Sequence, residues 1–114
     1  MQFERNRLFD TPRDFFDFKG TAAMKLTSAA TQEVCQQAIE FGLLVIRIEA
    51  GIWHNPGFEA RVDGIWDGVD LPVTAAAAIA NNRAASDFVR DGCPSYNAFI
   101  VTTVPLIKTA TNEM

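Results

Sequence analysis

The sequence predicts an α+β domain: a small, mostly antiparallel sheet of three or more strands with helices packed on one face. Three observations carry this. Apolar residues recur at helical spacing over residues 28–41 and again from about 74 to 90. Over residues 43–50, 58–66 and 97–104 they alternate or run continuously in strand-forming types. The resulting order, with a short helix at the front, is helix, helix, strand, strand, helix, strand.

The front helix begins at Thr11-Pro12-Arg13-Asp14. Thr is placed to cap it, Pro suits the first helical position, and the acid faces the positive end of the helix dipole. Phe15, Phe16 and Phe18 follow, and Lys19-Gly20 reads as the stop. About two turns cannot stand alone, so the Phe cluster must dock on something. Residues 22–27 read either as a strand or as the lead-in to the next helix.

Ser28 is the expected cap of the second helix. Val34, Cys35, Ala38, Ile39 and Phe41 make its inner stripe, and Gly42 takes the left-handed position that ends it. The first long strand is Leu43-Leu44-Val45-Ile46-Arg47-Ile48-Glu49-Ala50. Strict alternation puts Leu44, Ile46, Ile48 and Ala50 on one face, with Arg47 and Glu49 on the other. Asn55-Pro56-Gly57 is a turn, since Pro presets one central dihedral and Gly accepts positive φ at the next. The strand after it alternates as well. Phe58, Ala60, Val62 and Trp66 fall on one face; Glu59, Arg61, Asp63, Ile65 and Asp67 fall on the other. Residues 43–66 therefore read as an antiparallel hairpin with one wet face.

A loop over 68–72 leads to a helix ending near Arg90, whose expected inner stripe is Ala76, Ala77, Ala80, Ala84 and Phe88. The last strand is apolar on both faces and should be central. Its crossover from the previous strand would set those two strands parallel.

The chain has 114 residues, is 48% hydrophobic and holds nine Phe and two Trp. That suits one domain with a substantial core, whereas two domains would each be marginal. We divide residues 1–114 into a Phe-rich lead-in (1–27), a core (28–107) and a frayed tail (108–114). The N-terminus lacks the charged-then-apolar layout of a signal peptide, and no apolar run approaches a membrane span, so the expected location is the cytoplasm and no membrane partner is expected.

The formal charge is −4. Residues 26–107 hold four Arg, no Lys and nine acids. A stretch without Lys matches phosphate backbones poorly, so no direct contact with nucleic acid is expected and a basic protein partner is favoured. One His and two Cys, without CxxC or HxxxH spacing, make no zinc site. No cofactor is implied. Cys35 falls on the core side of its helix, and Cys93 precedes Pro94 in a loop.

The segment GIWHNPGFEARVDGIWDG, residues 51–68, holds both Trp, the only His and three acids. An enzymatic reading makes His54 a general acid or base with Glu59 or Asp63 as partner. Its pocket would be lined by Phe15, Phe16, Trp53, Trp66 and Phe99, with His54 and Asp63 at the mouth. A metal reading of Glu59, Asp63 and Asp67 fails on distance, since positions four apart on a strand lie about 13 Å apart. A plain reading makes His54 a turn residue and the acids a solvated strand face. An accessory homodimer would instead show an apolar interface. The interaction reading takes Glu59, Asp63, Asp67 and Asp70 as an acidic row interrupted by Ile65 and flanked by Trp53 and Trp66. Acids steer encounter with a basic partner, while a few desolvated anchors supply affinity.

That segment, together with Asn81-Asn82-Arg83-Ala84-Ala85 and Asn97-Ala98-Phe99-Ile100, resembles small bacterial immunity proteins. These neutralise toxins of contact-dependent growth inhibition or colicin-like systems. The resemblance spans roughly residues 42–104. It implies a non-enzymatic inhibitor that binds a cognate toxin domain, often a basic nuclease, and blocks its active site or substrate surface. The partner-binding residues expected on this basis are Trp53, Glu59, Asp63, Ile65, Trp66, Asp67 and Asp70, with no catalytic and no metal-binding residues.

Overall fold

Leu43–Trp53 (β3) is the spine of a five-stranded sheet, and its neighbours on either side set the architecture. The elements in order are β1 (Leu8–Phe9), α1 (Pro12–Asp17), β2 (Lys25–Leu26), α2 (Ser28–Gln37), a 3₁₀ turn (Ala38–Phe41), β3, β4 (Phe58–Asp67), α3 (Ala75–Gly92) and β5 (Ala98–Pro105). The computed structural model describes residues 7–18, 24–54, 57–92 and 95–106. The expected helix stop at Lys19-Gly20, the turn residues Asn55 and Pro56, Cys93 and the tail 108–114 lie outside the described residues.

The strand order is β1-β2-β5-β3-β4. Among the described residues the β1–β2 pairing is parallel and the other three pairings are antiparallel. The chain is therefore α+β with a mostly antiparallel sheet, as the sequence predicts. β5 is internal, which explains its apolar residues on both faces. β4 and β5 run in the same direction, as the crossover required, but β3 separates them.

Helix termini follow local chemistry. Thr11 caps α1, and its side chain accepts from Asp14 N. Thr27, rather than the expected Ser28, caps α2: its hydroxyl oxygen accepts from Ala30 N at 3.2 Å. Gly42 adopts φ 71° and closes the 3₁₀ turn, donating from its N–H to Ile39 O. Thr74 caps α3 through Ala77 N.

One buried cluster unites sheet and helices. Phe9, Phe15, Met24 and Leu26 from the N-terminal segment join Val34, Ile48, Val89, Phe99 and Val101. The Phe cluster of the lead-in therefore packs on its own domain. Phe16 stacks on Phe41 with ring centroids 3.8 Å apart, which leaves Phe41 about half exposed rather than in the core stripe expected of it. Cys35 is buried.

Three further sequence expectations fail, each for an identifiable reason. The first concerns β3. Two steps along it, Val45 to Arg47, match one step along β5, from Thr103 to Thr102. This bulge inverts the alternation, so Val45 joins Ile48 and Ala50 in the core while Ile46 leaves the set. The second concerns α3. Its buried residues are Ala78, Asn81, Asn82, Ala85, Ser86 and Val89. Ala76, Ala77, Ala80 and Ala84 are exposed and Phe88 is half-buried. Hydrogen bonding of the two Asn rotates the helix away from the stripe that apolarity alone suggests. The third concerns β4. Two steps along β3, from Glu49 to Gly51, match five along β4, from Ile65 to Ala60. Residues 61–64 stand outside the ladder, Ala60 and Val62 are exposed, and the odd offset puts Phe58, opposite Trp53, on the other face from Trp66, opposite Ile48.

Candidate functional site

The β3–β4 hairpin places the residues singled out in the sequence. His54 N donates to Gly57 O at 2.8 Å, closing its tip, and Gly57 takes φ 116°. Asn97 ties this tip to the start of β5. Its Oδ1 accepts from Trp53 N at 2.8 Å, and its own N–H donates to Gly51 O at 3.1 Å.

On the sheet face turned away from the helices, Ile65 lies opposite Glu49 and Asp67 opposite Arg47. Arg47 bridges both acids, with Nη1 3.0 Å from Asp67 and Nε 3.5 Å from Glu49. Trp66 lies opposite Ile48 and packs against the core, on the helix side. It therefore does not share a face with Ile65. Trp53 pairs with Phe58 at the far end and is half-buried. Asp63 sits in the bulge and Asp70 in the loop after β4; both are exposed.

At the hairpin tip, His54 Nε2 lies 2.7 Å from Glu59 Oε1, and Arg61 lies 3.6 Å from the other Glu59 oxygen. The hydrogen bond to His54 and, after it, the charge of Arg61 hold the Glu59 carboxyl below the usual carboxylate range. Asp63 meets the Tyr96 hydroxyl instead. Burial first, and then this contact, push the Tyr96 pKa up. His54 and Asp63 are thus engaged with different partners. Phe15 and Phe99 are fully buried in the core, so they line no pocket with the exposed His54. Among the described residues, the side chains named in the enzymatic reading therefore do not come together as its pocket. An open groove of about 370 Å³ lies elsewhere, between α2 and α3, lined by residues including Cys35, Ile39, Ile79 and Arg83. Among the described residues no group of His, Cys, Asp or Glu could hold a metal ion. No helix there is long and apolar enough to cross a membrane.

Sequence reasoning missed the buried pair Asn81 and Asn82. β4 stops short of the first residues of β3, and the two amides take its place. Asn82 Oδ1 accepts from Val45 N, its Nδ2 donates to Leu43 O, and Asn81 Nδ2 donates to Val45 O. Asn81 Oδ1 also accepts from Val69 N at 2.9 Å, which fixes the loop that carries Asp70. Two adjacent Asn inside an otherwise alanine-rich helix were the available signal.

The model of the family described as Colicin-E5 Imm protein matches residues 24–104, from just before β2 nearly to the end of β5. The chain belongs to that immunity-protein family. It is 48% identical over 102 residues to the immunity protein CdiI of Burkholderia pseudomallei, covering 90% of this chain and 94% of the relative. It is 38% identical over 81 residues to a colicin-E5 immunity protein of Escherichia coli, covering 69% of this chain and 96% of that one. The colicin-E5 immunity family consists of toxin inhibitors that are not enzymes. Neutralising a toxin by binding requires a presented surface and no general base, which removes the catalytic role considered for His54. β1 and α1 lie outside the family match. The match to the Burkholderia protein is too long to fit without part of that N-terminal segment.

Proposed function

We propose that this immunity protein neutralises a basic nuclease toxin by laying the exposed β4 edge of the β3–β4 hairpin, with its tip and the loop after it, over the toxin's substrate surface. The carrying observation is the local excess of acid. Glu49, Glu59, Asp63, Asp67 and Asp70 outnumber Arg47 and Arg61, with Ile65 exposed among them. Carboxylates in such a row would occupy the cationic positions that otherwise hold nucleic-acid phosphates, and their field would speed encounter. Trp53 contributes at the tip. Trp66 supports the strand from behind through its packing on the core. The protein would act in the cytoplasm.

The test is a binding titration against the cognate toxin domain at low and high salt, using wild type and a Glu59→Lys, Asp67→Lys, Asp70→Lys variant. The variant should associate at least tenfold more slowly and lose much of its salt dependence. Unchanged association by a variant that melts normally would place the interface on another face.

A further inference from the structure

We propose that Val62 is the apolar anchor of this interface, a peg held out from the sheet edge that enters a shallow apolar pocket rimmed by cationic side chains on the toxin. The proposal rests on the reading of the hairpin given above.

The peg is a consequence of the register. Residues 61–64 have no partners on β3 because five steps along β4 span two along β3. Arg61, Val62 and Asp63 are exposed on this outermost strand, while Gly64 is buried beneath them. Val62 is 91% exposed, the highest value among the large apolar side chains described as exposed. Those number five, and three of them, Val62, Ile65 and Val69, fall within this strand and its loop. They interleave with Asp63, Asp67 and Asp70, so apolar contact and negative charge are offered together.

The projection is seated from below. Gly64 lies so close to Ala50 that an added Cβ would stand 2.9 Å from the Ala50 Cβ and 3.0 Å from its carbonyl oxygen. Asp63 meets Tyr96, and Arg61 leans back toward Glu59 at 3.6 Å. The two charged neighbours of Val62 are thus each engaged with another side chain, which leaves Val62 as the apolar group offered between them. A β-branched side chain on a seated backbone has little freedom to lose on binding, the property that makes a good anchor. Blocking stray pairing of the edge strand would explain a bulge, but it would favour Lys or Pro at the tip rather than valine. The surrounding acids specify the pocket's cationic rim.

Affinity for the cognate toxin domain should be measured for Val62→Ala, Val62→Thr and Val62→Asp beside the charge-reversal variant. Loss of a desolvated isopropyl group predicts roughly tenfold weaker binding for Val62→Ala, mainly through faster dissociation. Threonine, which keeps the shape but adds a hydroxyl, should also weaken binding, and Val62→Asp should weaken it by roughly a hundredfold or more. Melting temperatures should stay at the wild-type value, because the side chain is exposed. If all three bind like wild type while charge reversal weakens binding, the anchor is refuted and the acidic interface stands. If neither set changes affinity, both fall. If only the Val62 variants weaken it, the anchor holds and the electrostatic reading falls.

Discussion

Asn82 stands in for a strand against Val45. Its Oδ1 accepts from the Val45 N–H at 2.9 Å, and its Nδ2 reaches Leu43 O at 3.0 Å. One side chain thereby satisfies a donor and an acceptor on the stretch of β3 that β4 does not reach. Polar backbone groups at a buried edge must find partners, and here a helix supplies them. Asn82→Ala removes both bonds together and should lower stability by about 2–4 kcal/mol. Urea unfolding would measure the loss, and amide exchange at Val45 should accelerate well beyond the global change. Equal exchange at Val45 would show that water replaces the amide at little cost.

The His54 and Glu59 contact predicts a titration with a definite sign. Both groups are exposed, and the Glu59 carboxyl is held low mainly by its hydrogen bond to His54. A carboxyl lowered by folding contributes stability at pH above its unfolded value, and that contribution fades as pH falls through the lowered folded value. An NMR titration of the Glu59 carboxyl should give an apparent pKa below that of a free glutamate. His54→Ala should move it upward, with Arg61 retaining the remainder of the shift. No movement in that variant would assign the whole effect to Arg61.

Burial of Cys35 makes its thiol inert in the folded protein. Desolvation pushes its pKa up to about 12. The native state then holds its proton at pH values where the unfolded thiol has lost it. Stability should therefore fall as pH rises from near the unfolded thiol value toward the raised native one. In a Cys93→Ser background, alkylation by iodoacetamide at pH 8 should follow the rate of opening and become rapid in denaturant. Fast labelling of the folded protein would contradict the burial.

Much of this architecture is legible in residue order because the longer elements carry strong periodic signals. α2, β3, β4, α3 and β5 lie within a few residues of where spacing and caps put them. β1 and β2 escape because two residues cannot display a period; their pairing is set by the fold around Phe9 and Leu26. The faces of β3 and β4 escape for another reason. A bulge reverses inward and outward positions without any change in composition, so Val45 and Val62 each land opposite to their apparent parity. In α3 the alanines fit buried and exposed positions equally well, and the hydrogen bonds of Asn81 and Asn82 decide the rotation. At the candidate site, the exposure of the acids follows from their chemistry. Which arginine or ring nitrogen meets each of them depends on cross-strand register, and the bulge conceals that register.

Gly64 is where the β4 bulge is most open to a direct challenge. Any side chain there meets the Ala50 carbonyl oxygen at 3.0 Å, and that oxygen belongs to β3, which is paired on both sides and has little room to retreat. The Tyr96 ring closes the site from the other side, with Cζ 3.3 Å away. Gly64→Ala must shift the bulge outward or push the β3 backbone, and overpacking of this kind costs about 1–3 kcal/mol. The methyl group would also separate Asp63 from Tyr96, so the tyrosine pKa should fall toward its ordinary value in a spectrophotometric titration, less any part that burial maintains. Since residues 61–64 carry Val62, the same variant should bind toxin more weakly than its stability loss alone explains. Wild-type melting and wild-type affinity in Gly64→Ala would mean that the bulge is not seated on Ala50 at all.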